Sequence, residues 1–139
     1  MTAVTGRVLV LDEPLSLWGG MDPATGRLID PHHPQHGALL AGRVVFMPSA
    51  KGSSSSASVL AEAVRAGTAP AAFLLSEPDL ILEIGSAVAE ELYGIRVPVH
   101  VISPQRASVI LDGSELRIGP RGGVTRAPRA SDTGSRGTP

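Results

Sequence analysis

Apolar residues recur with two different periods along this chain, and the change of period marks the elements. "GRVLVL" (6–11) is a compact β-rich run and predicts a strand. "GRVVFMP" (42–48) predicts a second, ended by Pro48. From about Ser54 the spacing becomes helical: Val59, Leu60, Ala63 and Val64 share one face, and Gly67 is placed to end the helix. "AAFLL" (71–75) predicts a buried strand. "EPDLILEIGSAVAEELYG" (77–94) predicts a helix across at least Leu82–Leu92, stopped by Gly94. "VPVHVI" (97–102) predicts another strand. In "ASVILDGSELRI" (107–118), Asp112-Gly113 separates two alternating runs, the signature of a hairpin.

Between the first two strands, residues 12–37 carry Pro14, Gly19, Gly20, Pro23, Gly26, Pro31, Pro34 and Gly37. Such a density of breakers argues against any regular element. Loops this long are uncommon in compact domains and tend to be functional. This one holds the only Trp, Trp18, and three of the four His residues, which favours an ordered loop over a disordered one. Strand, loop, strand, helix, strand, helix, strand and hairpin together predict an α/β domain with a parallel centre. No internal repeat is visible.

Composition narrows the function. A chain of 139 residues with 42% hydrophobic and 18% charged residues suits one globular domain. The expected domain covers residues 1–118. Residues 119–139 hold four Arg, one Asp and almost no apolar side chains, and predict a disordered tail. A formal net charge of −1 and the absence of a basic stripe argue against a nucleic-acid partner. No apolar run is long enough to cross a membrane, and the N-terminus lacks a secretory pattern, so a cytoplasmic location is expected. Without cysteine, the chain has no thiolate with which to ligate zinc or an iron–sulfur cluster.

The tract "PSAKGSSSSASVLAEAV" (48–64) joins a strand to its crossover helix, which is the wrong place for an interdomain linker. In α/β sheets, ligands bind beyond the carboxyl ends of the strands, where the next helix begins. Free N–H groups at a helix start attract anions, worth about 0.3–1 kcal/mol when exposed and up to about 2 when partly buried. Gly52 allows close backbone approach and Lys51 adds a cation. The spacing leaves a second reading open, in which the serines merely cap the helix. Neither a Walker A loop nor a GxSxG elbow is present.

Four runs, taken together, carry a resemblance. "LSLWGGMDPATGRLIDPHHPQHG" (15–37), "GRVVFMPSAKGSSSSASVL" (42–60), "APAAFLLSEPDLIL" (69–82) and "ELYGIRVPVHVI" (91–102) resemble the aconitase X swivel-domain family, in order, from about residue 5 to 118. The resemblance implies a swivelling β/β/α domain like the small mobile domain of aconitase. It also implies the small subunit of a hydro-lyase, active with a large subunit that carries an iron or iron–sulfur centre, so that no cofactor is bound by this chain. Cis-3-hydroxy-L-proline is the substrate expected, with (R)-5-phosphomevalonate as the alternative. The serine after K/R-G, the family's proton acceptor, corresponds to Ser53; Ser54, Ser55 and Ser56 fall at variable small positions. A serine hydroxyl is a weak base, so positive neighbours such as the helix start, Lys51 or partner cations are required. A different class of function, a stand-alone module binding a small anion at the start of helix 54–66, is the rival.

Further cleft candidates are Lys51, Gly52, Ser54, Gly19, Gly20 and Asp22. Trp18-Gly19-Gly20 suits either a cleft wall or packing of the loop. Asp22 and Asp30 also suit turn caps, and Glu77-Pro78-Asp79 suits a turn at a strand end. His32, His33 and His36 lie on a Pro-broken loop that cannot easily hold ligand geometry, so no metal site is expected; ordering the loop or contacting the large subunit is the better role. His100 reads as a satisfied strand histidine.

Overall fold

The computed structural model describes residues 3–51 and 53–126. Its elements in chain order are β1 (Val4–Val10), α1 (Leu17–Gly20), β2 (Met21–Asp22), β3 (Arg27–Leu28), β4 (Val44–Met47) and α2 (Ser55–Ala66). There follow β5 (Ala72–Leu75), α3 (Leu80–Tyr93), β6 (Val99–Val101), α4 (Pro104–Ala107), β7 (Glu115–Ile118) and β8 (Val124–Arg126). Six strands form one sheet in the order β6-β5-β4-β1-β7-β8. The neighbours β1, β4, β5 and β6 run parallel, while β7 and β8 are antiparallel additions beside β1.

The strands bury both faces, and their side chains alternate strictly between two cores. Leu9, Val45, Met47, Phe73 and Leu75 point to one side, where Val59, Leu60, Ala63 and Val64 of α2 and Leu82 and Ala89 of α3 cover them. Val8, Val44, Ala72 and Leu74 point to the other, where they meet Ile102, Leu116 and Ile118. Ile102 follows one edge strand and Leu116 lies near the opposite edge, so the sheet curls around this second core. The curl brings the β7–β8 turn onto β6: a Cβ at Gly122 would lie 3.0 Å from His100 Nδ1. The result is a β/β/α arrangement, with helices on one side of a curled sheet.

Local stop signals act where the sequence places them. Gly67 and Gly94 both adopt left-handed backbone at the helix ends, with φ of 78° and 70°. Asp79 caps α3 by accepting from the Leu82 N–H at 2.9 Å.

Three expectations are corrected. The hairpin over 107–118 does not form. Ser103 caps the α4 turn through the Arg106 N–H, Val109 and Leu111 remain exposed, and only Glu115–Ile118 is a strand. Asp112-Gly113 turns toward β1 instead. Asp112 Oδ1 accepts from the Val10 N–H and the Gly113 N–H donates to the Val8 carbonyl, which delivers β7 to the open edge of β1. Residues 119–126, placed in the tail, form a turn and β8, which pairs with β7; residues 127–139 of that expected tail lie outside the described residues. Finally, the 12–37 loop contains a small ribbon, Met21–Asp22 paired with Arg27–Leu28, closed through Gly26 at φ 76°.

Candidate functional site

Because β1, β4 and β5 are parallel, the loops after them emerge on one edge of the sheet. Backbone bonds tie these loops together. The loop after β1 forms a parallel bridge from Leu15 to Ala50 in the loop after β4, and the Lys51 N–H donates to the Leu15 carbonyl at 3.3 Å. The Ser76 N–H after β5 donates to the Pro48 carbonyl at 3.0 Å. Helices α2 and α3 begin at this edge, so two helix N-termini direct partial positive charge toward it.

Ser53 is half-buried in the last step before α2, and its carbonyl accepts from the Ser56 N–H at 2.9 Å. Among the described residues its hydroxyl has no assigned partner. The capping position belongs to Ser54, whose backbone is already helical and whose side chain makes no capping bond. Lys51 is exposed beside the tract. Gly52 lies outside the described residues.

The Trp18-Gly19-Gly20 segment faces the start of α2. It forms an irregular turn in which Trp18 has ψ 113° and Gly19 has φ 78°, so a non-glycine residue at 19 would be strained. At Gly20 a Cβ would lie 2.7 Å from Leu15 Cδ1, so a larger residue there would push the buried Leu15 side chain aside. The Trp18 indole is 60% exposed beside this edge. The segment is fixed by a residue the sequence reading passed over. The Trp18 N–H donates to Ser56 Oγ at 3.2 Å, and Ser16 Oγ lies 3.4 Å from the same oxygen. A signal for Ser56 was present, since it shares the buried face of α2 with Val59, Leu60 and Ala63.

Asp22 has a different place. Its Oδ1 accepts from the Ala24 N–H and its Oδ2 from the Thr25 hydroxyl, so both carboxylate oxygens hold the β2–β3 turn. Asp30 likewise accepts from the His32 N–H.

The histidines divide. His33 is buried; its Nε2–H donates to the Glu13 carbonyl at 3.0 Å, and its Nδ1 accepts from the Gln35 N–H at 3.0 Å. The acceptor and donor on these two backbone groups fix the tautomer and leave neither nitrogen for a metal. Gln35 continues the staple, accepting from the Asp12 N–H and donating to the Val10 carbonyl. His33 thus orders the loop against the end of β1. His32 and His36 are exposed. His100 departs from expectation: its Nε2 is buried without a partner among the described residues. Desolvation, with the Arg96 charge second, pushes its pKa down. Among the described residues, no group of three or more His, Cys, Asp or Glu could hold a metal ion. The donor set of the described residues does not fit a resident iron centre.

Comparison with known proteins places the chain in a family. The family model of the aconitase X swivel domain matches residues 1–126. The chain belongs to the aconitase X swivel-domain family. A cis-3-hydroxy-L-proline dehydratase of Pseudomonas aeruginosa is 46% identical over 97 residues, covering 70% of this chain and 17% of that protein. The chain therefore spans about one-sixth of the first such relatives it matches. The phosphomevalonate dehydratase small subunit of Pyrococcus abyssi is 32% identical over 120 residues, covering 86% of each chain. Among solved structures, Thermococcus kodakaraensis aconitase X in its holo-form superposes with a TM-score of 0.74 at 26% identity, covering 89% of this chain and 88% of that one. Such neighbours bear out the β/β/α fold that the resemblance implied.

Proposed function

We propose that this swivel domain serves as the small subunit of an aconitase X-type hydro-lyase and that Ser53 accepts the substrate proton. The supporting observation is the position of Ser53 at the carboxyl edge of parallel strands, beside a 12-residue helix whose cap lies at Ser54. Dehydration removes a proton from one carbon and hydroxide from its neighbour, which together make up the water lost. Ser53 Oγ takes the proton. The start of α2 and the Lys51 cation lower the cost of the alkoxide character this requires, and cations of the large subunit add to them. The iron or iron–sulfur centre belongs to that large subunit. The pair works in the cytoplasm.

The substrate proposed is cis-3-hydroxy-L-proline, supported by the 46% identity to a dehydratase of that name. (R)-5-phosphomevalonate is the second reading, supported by small subunits that match along 86% of their length or more. Assaying the co-purified pair on both compounds separates the two.

Ser53→Ala in that pair tests the base. As a proton acceptor, its loss lowers kcat by about 10²-fold or more with assembly intact. A Ser53 with no part in the chemistry would instead leave kcat near wild type, since the capping position is Ser54. Failure to pair with any large subunit, together with binding of small anions by the lone chain, would favour the stand-alone binding module.

A further inference from the structure

Ser56 is 3% exposed, yet its hydroxyl is the meeting point of two segments remote in sequence. Through its main chain it is bonded to Ser53, donating its N–H to the Ser53 carbonyl at 2.9 Å. Through its side chain it accepts from the Trp18 N–H at 3.2 Å. A hydroxyl has one proton and two lone pairs. With one lone pair given to Trp18, Ser56 can still share a proton with Ser16 Oγ at 3.4 Å. The other flank of Ser53 is held independently by the bond from the Lys51 N–H to the Leu15 carbonyl. The segment that carries Trp18, Gly19 and Gly20 is therefore tied to the tract on both sides of Ser53. The segment leaves helical geometry at Trp18 and Gly19. Its far end is held by the Met21 N–H on the Leu17 carbonyl and the Ile29 N–H on the Gly20 carbonyl, so the ties to the tract fix its near end, at Leu15 and Trp18.

We infer that Ser56 is a positioning residue. Its buried hydroxyl clamps the Trp18-Gly19-Gly20 segment to the first turn of α2 and so fixes the wall against which Ser53 meets substrate. The inference rests on the assignment of Ser53 above. A buried serine on an apolar helix face could otherwise be replaced by alanine at little cost, and the clamp gives the hydroxyl its reason.

The experiment combines amide hydrogen exchange of the chain with steady-state kinetics of the two-subunit enzyme. In Ser56→Ala, exchange of the Trp18 amide should speed up, while the amides in the middle of α2 keep their protection. In the same variant kcat should fall about 10–100-fold with KM little changed, because misplacement by about an ångström has that effect on an oriented group. Ser56→Thr keeps the oxygen and should restore both readouts. Ser58→Ala, which loses only an exposed bond to the Ser55 carbonyl, is the control. Unchanged Trp18 exchange in Ser56→Ala would overturn the clamp. Faster exchange with wild-type kcat would overturn the positioning role. If Ser56→Ala does not fold, Ser56→Cys, whose sulfur is only a weak acceptor, takes its place, and wild-type exchange and kcat there would overturn the inference equally. An active Ser53→Ala enzyme would sink the base assignment alone, since the Trp18 readout in Ser56→Ala does not depend on it.

Discussion

Gly85 of α3 lies directly on the backbone of Ala57 in α2. A Cβ at residue 85 would sit 3.0 Å from Ala57 Cα and 3.1 Å from its carbonyl oxygen. Both obstacles are main chain, so neither can swing aside. Gly85→Ala sets two effects against each other. Alanine gains about 1 kcal/mol over glycine in a helix interior, whereas forcing extra volume into a packed contact costs about 1–3 kcal/mol. The contact should win, lowering the melting temperature of the chain. A variant as stable as wild type, measured by thermal unfolding, would mean the helices can separate freely.

His100 supplies a pH dependence. Its folded pKa lies below the ordinary 6.5, chiefly through desolvation and secondarily through Arg96. The unfolded chain therefore binds this proton more readily than the folded one. The neutral ring's contribution is fully present above about pH 6.5 and is lost as pH falls below it. Melting temperatures of wild type and His100→Asn, compared from neutral to about pH 5, should diverge in shape, with the wild type losing more stability on acidification. Parallel curves would remove His100 as the cause.

The β8 strand gives a third test. Val124 pairs opposite Ile118 and packs against the second core. A chain ending at Ile118 loses both the strand and this cover. A chain ending at Arg126 keeps them. The shorter chain should be less stable by on the order of 1–3 kcal/mol, the scale of burying one aliphatic side chain. Equal denaturant midpoints for the two would show that β8 contributes nothing.

The sequence by itself determined the local alphabet of this domain. Continuous apolar runs became strands because successive side chains point to opposite faces and both faces are covered, as at Val44, Val45, Phe46 and Met47. Helices stopped at Gly67 and Gly94 because glycine enters left-handed backbone without a Cβ penalty. The four quoted runs also carried the family likeness, and with it the serine after Lys51-Gly52. Tertiary structure decided what local pattern cannot encode. Whether 107–111 pairs with 114–118 depended on β1 offering a longer open edge, which drew β7 away and left β8 to pair with it. Asp22 read equally as a cleft acid or a turn cap until the ribbon claimed both its oxygens. Ser56 looked like one serine among four. Its role arises from a bond across 38 positions, and a bond between segments so far apart exists only once the sheet and α2 have brought them together.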